Sequence, residues 1–85
     1  MAKVEIYSKD YCPYCAQAKA LFEEKGVKFR EYDVTKDTAK QKEMMERSKG
    51  KLMTIPQIYI NDELIGGYSD LAELNDEGRL DELLV

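Results

Sequence analysis

The chain opens on an alternating stretch. In "KVEIY", Val4 and Ile6 fall on one side and Lys3, Glu5 and Tyr7 on the other, which predicts a β-strand. From Pro13 the period lengthens. Cys15, Ala18, Leu21 and Phe22 follow helical spacing, with Lys19 and Glu23 four apart on the wet side and Gly26 as the stop. "VKFREYDV" alternates again, giving a second strand from about 27 to 33. Residues 36–49 predict a polar helix, anchored by Met44 and Met45 and ended by Gly50. "QIYI" is a strand, "NDE" a turn and "LI" the returning strand of a hairpin that ends at Gly66-Gly67. "SDLAEL" begins a short helix capped by Ser69 or Asp70, and "GRLDELLV" closes the chain helically, burying Leu80, Leu83 and Leu84.

The order is β-α-β-α-β-β-α, an α/β arrangement. A strand–helix–strand start implies a right-handed parallel crossover. The hairpin adds antiparallel strands, so the expected architecture is a central four-stranded mixed sheet with helices on both faces. The 85 residues are enough for one domain, 1–85, and no more. Hydrophobic residues make up 44% and charged residues 35%, a globular balance. The net charge of −4 is interleaved in sign, and no basic run exceeds two residues, so nothing favours nucleic acid. No stretch approaches the roughly 18 apolar residues of a membrane span. The charged "MAKVEIYSKD" does not read as a signal peptide, so a cytoplasmic, reducing location is expected.

The chemistry concentrates in "KDYCPYCA". Cys12 and Cys15 are the chain's two cysteines, and it has no histidine. A bridge between them would close a ring of a few residues. In the chain-entropy model so short a loop gains only about 2 kcal/mol, and it would tie one helical turn to itself. A closed zinc site needs four ligands and finds two thiols; an iron–sulfur cluster would need thiols from outside the chain. Redox chemistry fits the position. Cys12 sits at the cap, Pro13 at the first helical position and Cys15 about one turn in. The free N–H groups of that turn and the positive end of the helix dipole favour a thiolate at Cys12. Cys15, inside the turn, stays largely a thiol. A stabilised thiolate gains little as an attacking group but leaves a mixed disulfide readily, which suits exchange with a small thiol.

"CPYC" after a strand, "TIPQIYI" about forty residues on and then "GGYSDL" resemble the glutaredoxin family, dithiol CPYC type, over essentially the whole chain. The resemblance implies a thioredoxin-like fold. It also implies an enzyme that reduces protein disulfides and protein–glutathione mixed disulfides with glutathione as electron donor and no bound cofactor or metal. Cys12 is then the nucleophile that carries glutathione, and Cys15 resolves mixed disulfides with proteins. Lys9 is expected to pair with a glutathione carboxylate or to support the thiolate, and Tyr14 to edge the glutathione groove. The resemblance places a cis peptide before Pro56. That bond would expose the backbone of Ile55 to an added strand, with Thr54 flanking the contact. Ser69 and the N–H groups of its helix would take the γ-glutamyl carboxylate, and Asp70 its ammonium. Tyr68 is left open between packing and groove wall, and Lys49 or Lys51 as a further carboxylate contact. The expected partners are glutathione and disulfide-bonded or glutathionylated proteins, ribonucleotide reductase among them, and the expected state is a monomer. Two other readings share the fold: an electron donor reduced by a flavoprotein reductase, and a cluster-binding scaffold, which a proline after the first cysteine disfavours in this family.

Overall fold

Five consecutive residues, Val4–Ser8, form β1, and none of them is exposed. Continuous burial marks a central strand covered on both faces. The computed structural model describes residues 2–10, 12–50 and 55–84. β1 runs parallel to β2 (Arg30–Asp33) and antiparallel to β3 (Gln57–Ile60), which pairs with β4 (Glu63–Gly66). The strand order is β2-β1-β3-β4, the four-stranded mixed sheet the sequence predicts.

The helices are α1 (Pro13–Glu24), α2 (Thr38–Ser48), α3 (Tyr68–Asp76) and the five-residue α4 (Leu80–Leu84). On one face of the sheet Val4, Ile6, Ile58 and Ile60 pack with Ala18 and Phe22 of α1, Leu71 of α3 and Leu80 of α4. Each large side chain fully buried there stabilises by about 1.5–3 kcal/mol. On the other face Tyr7, Val34 and Tyr59 meet Met44 of α2. Among the described residues no helix is long and apolar enough to cross a membrane.

As expected of a sheet with helices on both faces, the side of β1 that carries Glu5 and Tyr7 is covered too: Glu5 is 4% exposed and Tyr7 fully buried under polar side chains of α2. Several local expectations are corrected. Lys19 does not pair with Glu23 but reaches Glu31 on β2 at 2.8 Å, where a fixed strand offers a better-placed carboxylate. Strand pairing begins at Arg30, not 27; Val27 donates its N–H to the Phe22 carbonyl as the chain leaves α1. The second helix is shorter than 36–49. Asp37 caps it by accepting the Lys40 N–H, and Lys49, with φ of 55°, ends it. Only Met44 anchors it; Met45 is 43% exposed. The turn of the hairpin is Asn61-Asp62, both at positive φ, which matches a two-residue turn of the twist that strands prefer, and Glu63 already belongs to β4. The cap of α3 is Gly67, with Ser69 and Asp70 inside its first turn; Asp70 reaches back to accept the Gly67 N–H at 3.1 Å. The C-terminal helical stretch is two helices, parted at Gly78, whose φ of 74° suits glycine.

Candidate functional site

β1 ends at Ser8 and α1 begins at Pro13, with Cys12 as the helix cap. Its backbone is extended, Pro13 occupies the first turn, and the Cys12 Sγ accepts the Cys15 N–H at 3.3 Å. Sulfur thus holds the place where an oxygen usually caps a helix. The positive end of the α1 dipole lies at this sulfur. Cys12 is half-buried. Cys15 is 2% exposed, facing the sheet. Burial pushes the Cys15 thiol up to about 12, and its contact with Cys12 adds to that; the Lys9 backbone N–H and the Lys19 charge pull the other way. At neutral pH Cys15 keeps its proton while Cys12 faces the solvent. The two sulfurs are free thiols.

A second segment meets this helix tip. The Ile55–Pro56 peptide is cis, and the Ile55 carbonyl oxygen lies 4.0 Å from the Cys12 Sγ. Pro56 is buried at the head of β3, a position where a missing N–H is tolerated. The hairpin then returns the chain so that α3 begins beside Pro56. Between the tip of α1, this peptide and the start of α3 runs a cleft of about 380 Å³, lined by Tyr14, Ile55, Pro56, Gly67, Tyr68 and Ser69. That volume lies within the range of small-molecule sites. Tyr14 is 59% exposed, and its ring stacks on that of Tyr68 with centroids 6.3 Å apart. An aromatic pair kept at the surface makes a flat apolar wall.

Of the residues singled out from the sequence, Tyr14, Ile55, Pro56 and Ser69 are therefore brought together beside Cys12. Asp70 follows Ser69 but turns its carboxylate to the Gly67 N–H. Lys9 lines a wider cleft of about 760 Å³, which Cys12 itself borders, with Ser8, Asp10, Lys19, Glu31 and Asp33. Thr54 and Lys51 lie outside the described residues, and Lys49 is the exposed end of α2. Tyr68 lines the cleft, and so does Gly67, which the sequence reading places only at the end of the hairpin. The signal for both was adjacency to the Ser69-Asp70 pair. The arrangement can perform exchange at sulfur: an accessible sulfur that helix N–H groups stabilise, a protonated second thiol within the same turn, and a cleft to seat the partner's chain.

A family model described as glutaredoxin matches residues 4–65. Over 84 residues the chain is 51% identical to glutaredoxin 3 of Escherichia coli (strain K12), spanning 99% of each. Two solved structures resemble it closely. The solution structure of the dithiolic glutaredoxin of Trypanosoma brucei brucei superposes with a TM-score of 0.87 at 37% identity, covering 98% of this chain and 87% of that one. A buckwheat glutaredoxin–glutathione complex superposes with a TM-score of 0.86 at 26% identity, covering 98% and 76%.

Proposed function

The chain belongs to the glutaredoxin family, and from that premise we propose that it is a glutathione-dependent thiol–disulfide oxidoreductase acting through Cys12 and Cys15. The observation that carries the reading is the position of the Cys12 Sγ, at a helix N-terminus and 4.0 Å from the carbonyl oxygen of Ile55, which lines a cleft with Tyr14, Pro56 and Ser69. That a relative was solved in complex with glutathione supports the choice of ligand.

With a glutathionylated protein, the Cys12 thiolate attacks the glutathione sulfur. The protein's sulfur leaves with the bonding pair and takes a proton. A second glutathione thiolate attacks the sulfur now bound to Cys12, Cys12 departs as thiolate, and oxidised glutathione is released. The departure is the step that the helix N–H groups assist. With a protein disulfide, Cys12 forms the mixed disulfide, and Cys15 attacks the Cys12 Sγ. That attack frees the substrate's thiol and leaves a Cys12–Cys15 disulfide, which two glutathiones reduce. In this reading the tripeptide lies along the Ile55 backbone as an added strand. Tyr14 walls it. Its γ-glutamyl carboxylate meets Ser69 and the N–H groups of α3, its ammonium meets Asp70, and Lys9 answers a carboxylate or the thiolate.

The test is turnover of a glutathionylated peptide with glutathione as sole reductant. Steady turnover is expected. Turnover that needs a flavoprotein thioredoxin reductase instead would replace the reading with a thioredoxin-like electron donor. A brown protein purified without oxygen would turn it towards a cluster scaffold. Cys15→Ser is expected to keep much of the deglutathionylation and to lose reduction of protein disulfides, whereas Cys12→Ser abolishes both. Equal losses from the two would refute the division of labour.

A further inference from the structure

Cys15 must surrender its proton to resolve a mixed disulfide, yet it is 2% exposed and packed against the sheet. Lys19 lies four residues on, on the same face of α1. Its ammonium is not left to sample solvent. It is held 2.8 Å from a Glu31 carboxylate oxygen on β2, and that same oxygen accepts the Ser8 hydroxyl of β1 at 2.7 Å. Ser8 is itself buried. Two strands and one helix thus fix a single positive charge one helical turn along from the interior sulfur. The three residues also border the wider cleft that reaches Cys12, which gives a released proton a way to water.

We infer that Lys19, held in place by Glu31 and Ser8, is a positioning residue whose charge lets Cys15 become a thiolate when it attacks the mixed disulfide on Cys12. The inference rests on the division of labour proposed above. Its charged surroundings are few. Cys15 feels Cys12 from the preceding loop, the Lys9 backbone N–H and the Lys19 ammonium. Lys19 is faced by Glu31 from β2 and Glu23 from its own helix, and its hydrogen bond to Glu31 keeps it protonated. Glu31 is faced by Lys19, Ser8 and Asp33, and the Lys19 bond holds its carboxyl below the usual range. Lys19, one helical turn from Cys15, is held on the face of α1 that Cys15 occupies, and its charge favours the Cys15 thiolate.

The step can be isolated without glutathione. Cys12 is loaded as a mixed disulfide with a chromogenic aromatic thiol, and release of that thiol is followed against pH. The Cys15 thiolate attacks the Cys12 Sγ, the Cys12–Cys15 bond forms, the bond to the aryl sulfur breaks, and the aryl thiolate leaves with the electron pair. The Cys15 proton goes to water. With Lys19→Met, release at pH 7 is expected to slow about 3- to 10-fold and the rise with pH to move up by about 0.5–1 unit, with the high-pH plateau unchanged. The size is modest because Lys19 is partly solvated. Lys19→Arg should restore the parent profile, and Glu31→Gln should move it part of the way. A Lys19→Met profile that overlies the parent overturns the inference, as does slowing that persists at the plateau, or failure of Lys19→Arg to rescue. A parent protein that releases no aryl thiol at any pH, while its Cys12 loads normally, would instead overturn the role given to Cys15.

Discussion

On the α1 side of the sheet Val4, Ile6, Ile58 and Ile60 meet Ala18, Phe22, Leu71 and Leu80. On the α2 side, one residue along in the same two central strands, Glu5, Tyr7, Gln57 and Tyr59 meet a helix that offers Glu43, Met44 and Arg47. The first face is apolar and joined by shape. The second is joined by directed contacts. The Tyr7 hydroxyl donates to Glu43 at 2.6 Å and accepts from Arg47 at 3.0 Å, Arg47 bonds Glu5 at 3.1 Å, Tyr32 donates to Glu5 at 2.9 Å, and the Arg47 guanidinium lies 4.0 Å from the centre of the Tyr59 ring. Among the described residues no buried side-chain nitrogen or oxygen lacks a partner. A sheet can therefore be buried twice over with one face nearly devoid of polar atoms and the other full of them. The redox helix stands on the apolar face, where removing one group leaves a void; the polar face instead fails by leaving a charge or a donor unpaired.

The comparison breaks most visibly at Phe22. It is fully buried, and its ring packs near that of Phe29 at 6.1 Å between centroids. Phe22→Ala should cost about 3–5 kcal/mol, a large part of a small domain's stability, read as a fall in the urea midpoint. A cost under about 1 kcal/mol would mean that the apolar face is not what holds α1 in place. Arg47→Met tests the other face. It removes the nearest cation from a buried Glu5 and should cost about 2–3 kcal/mol at pH 7, less than a typical broken buried pair because Arg47 keeps some solvent contact and Glu5 keeps the Tyr32 hydroxyl and Lys3 at 3.8 Å. Burial pushes the Glu5 carboxyl up, but hydrogen bonds from Arg47 and Tyr32 outweigh it and hold it below its usual range. A carboxyl lowered by folding contributes stability above its unfolded value, near about 4.3, and loses it as pH falls through the folded one. The penalty of Arg47→Met should accordingly be full at pH 7 and shrink as pH falls below about 4.3, through the lowered folded value. A penalty constant over that fall would assign the role of Arg47 to the packing of its stem rather than to its charge.

The two faces were not equally legible in the sequence. Period-two and period-3.6 patterns report apolar positions, so Val4, Ile6, Ala18 and Phe22 announce themselves and fix the first face. A tyrosine–arginine–glutamate network has no such period. The alternation sets Glu5 and Tyr7 apart from Val4 and Ile6 and the composition marks a polar helix over 36–49, but neither pattern shows that the two meet. Lys19 reads as the i,i+4 partner of Glu23 because sequence shows local spacing, whereas Glu31 comes near only through the parallel crossover. The redox turn was legible for a different reason. A capping position, a proline at the first helical position and a cysteine one turn in are all local. What local reading could not supply is which cleft each flanking residue enters. Tyr14 and Ser69 share one beside Cys12, and Lys9 lines another. The cap of α3 was misread because a glycine cap leaves no side-chain signature; the acidic group that completes it, Asp70, sits three residues further on.

The smallest effect sharpens the contrast at α2. Met44 and Met45 are adjacent apolar residues in a polar helix, and a helix turns about 100° per residue, so both cannot face the sheet equally. Met44 is 5% exposed and packs with Tyr7, Val34 and Tyr59; Met45 is 43% exposed. If α2 is held by Met44 and by the bonds of Glu43 and Arg47, removing the apolar surface of Met45 should change little. Met45→Gln keeps the length and the helix propensity, so it should shift stability by less than about 0.5 kcal/mol in urea titration. A loss above about 1 kcal/mol would mean that Met45 is buried in solution and that α2 binds the sheet through an apolar seam after all. The second face would then differ from the first in composition only, and not in the kind of contact that holds it.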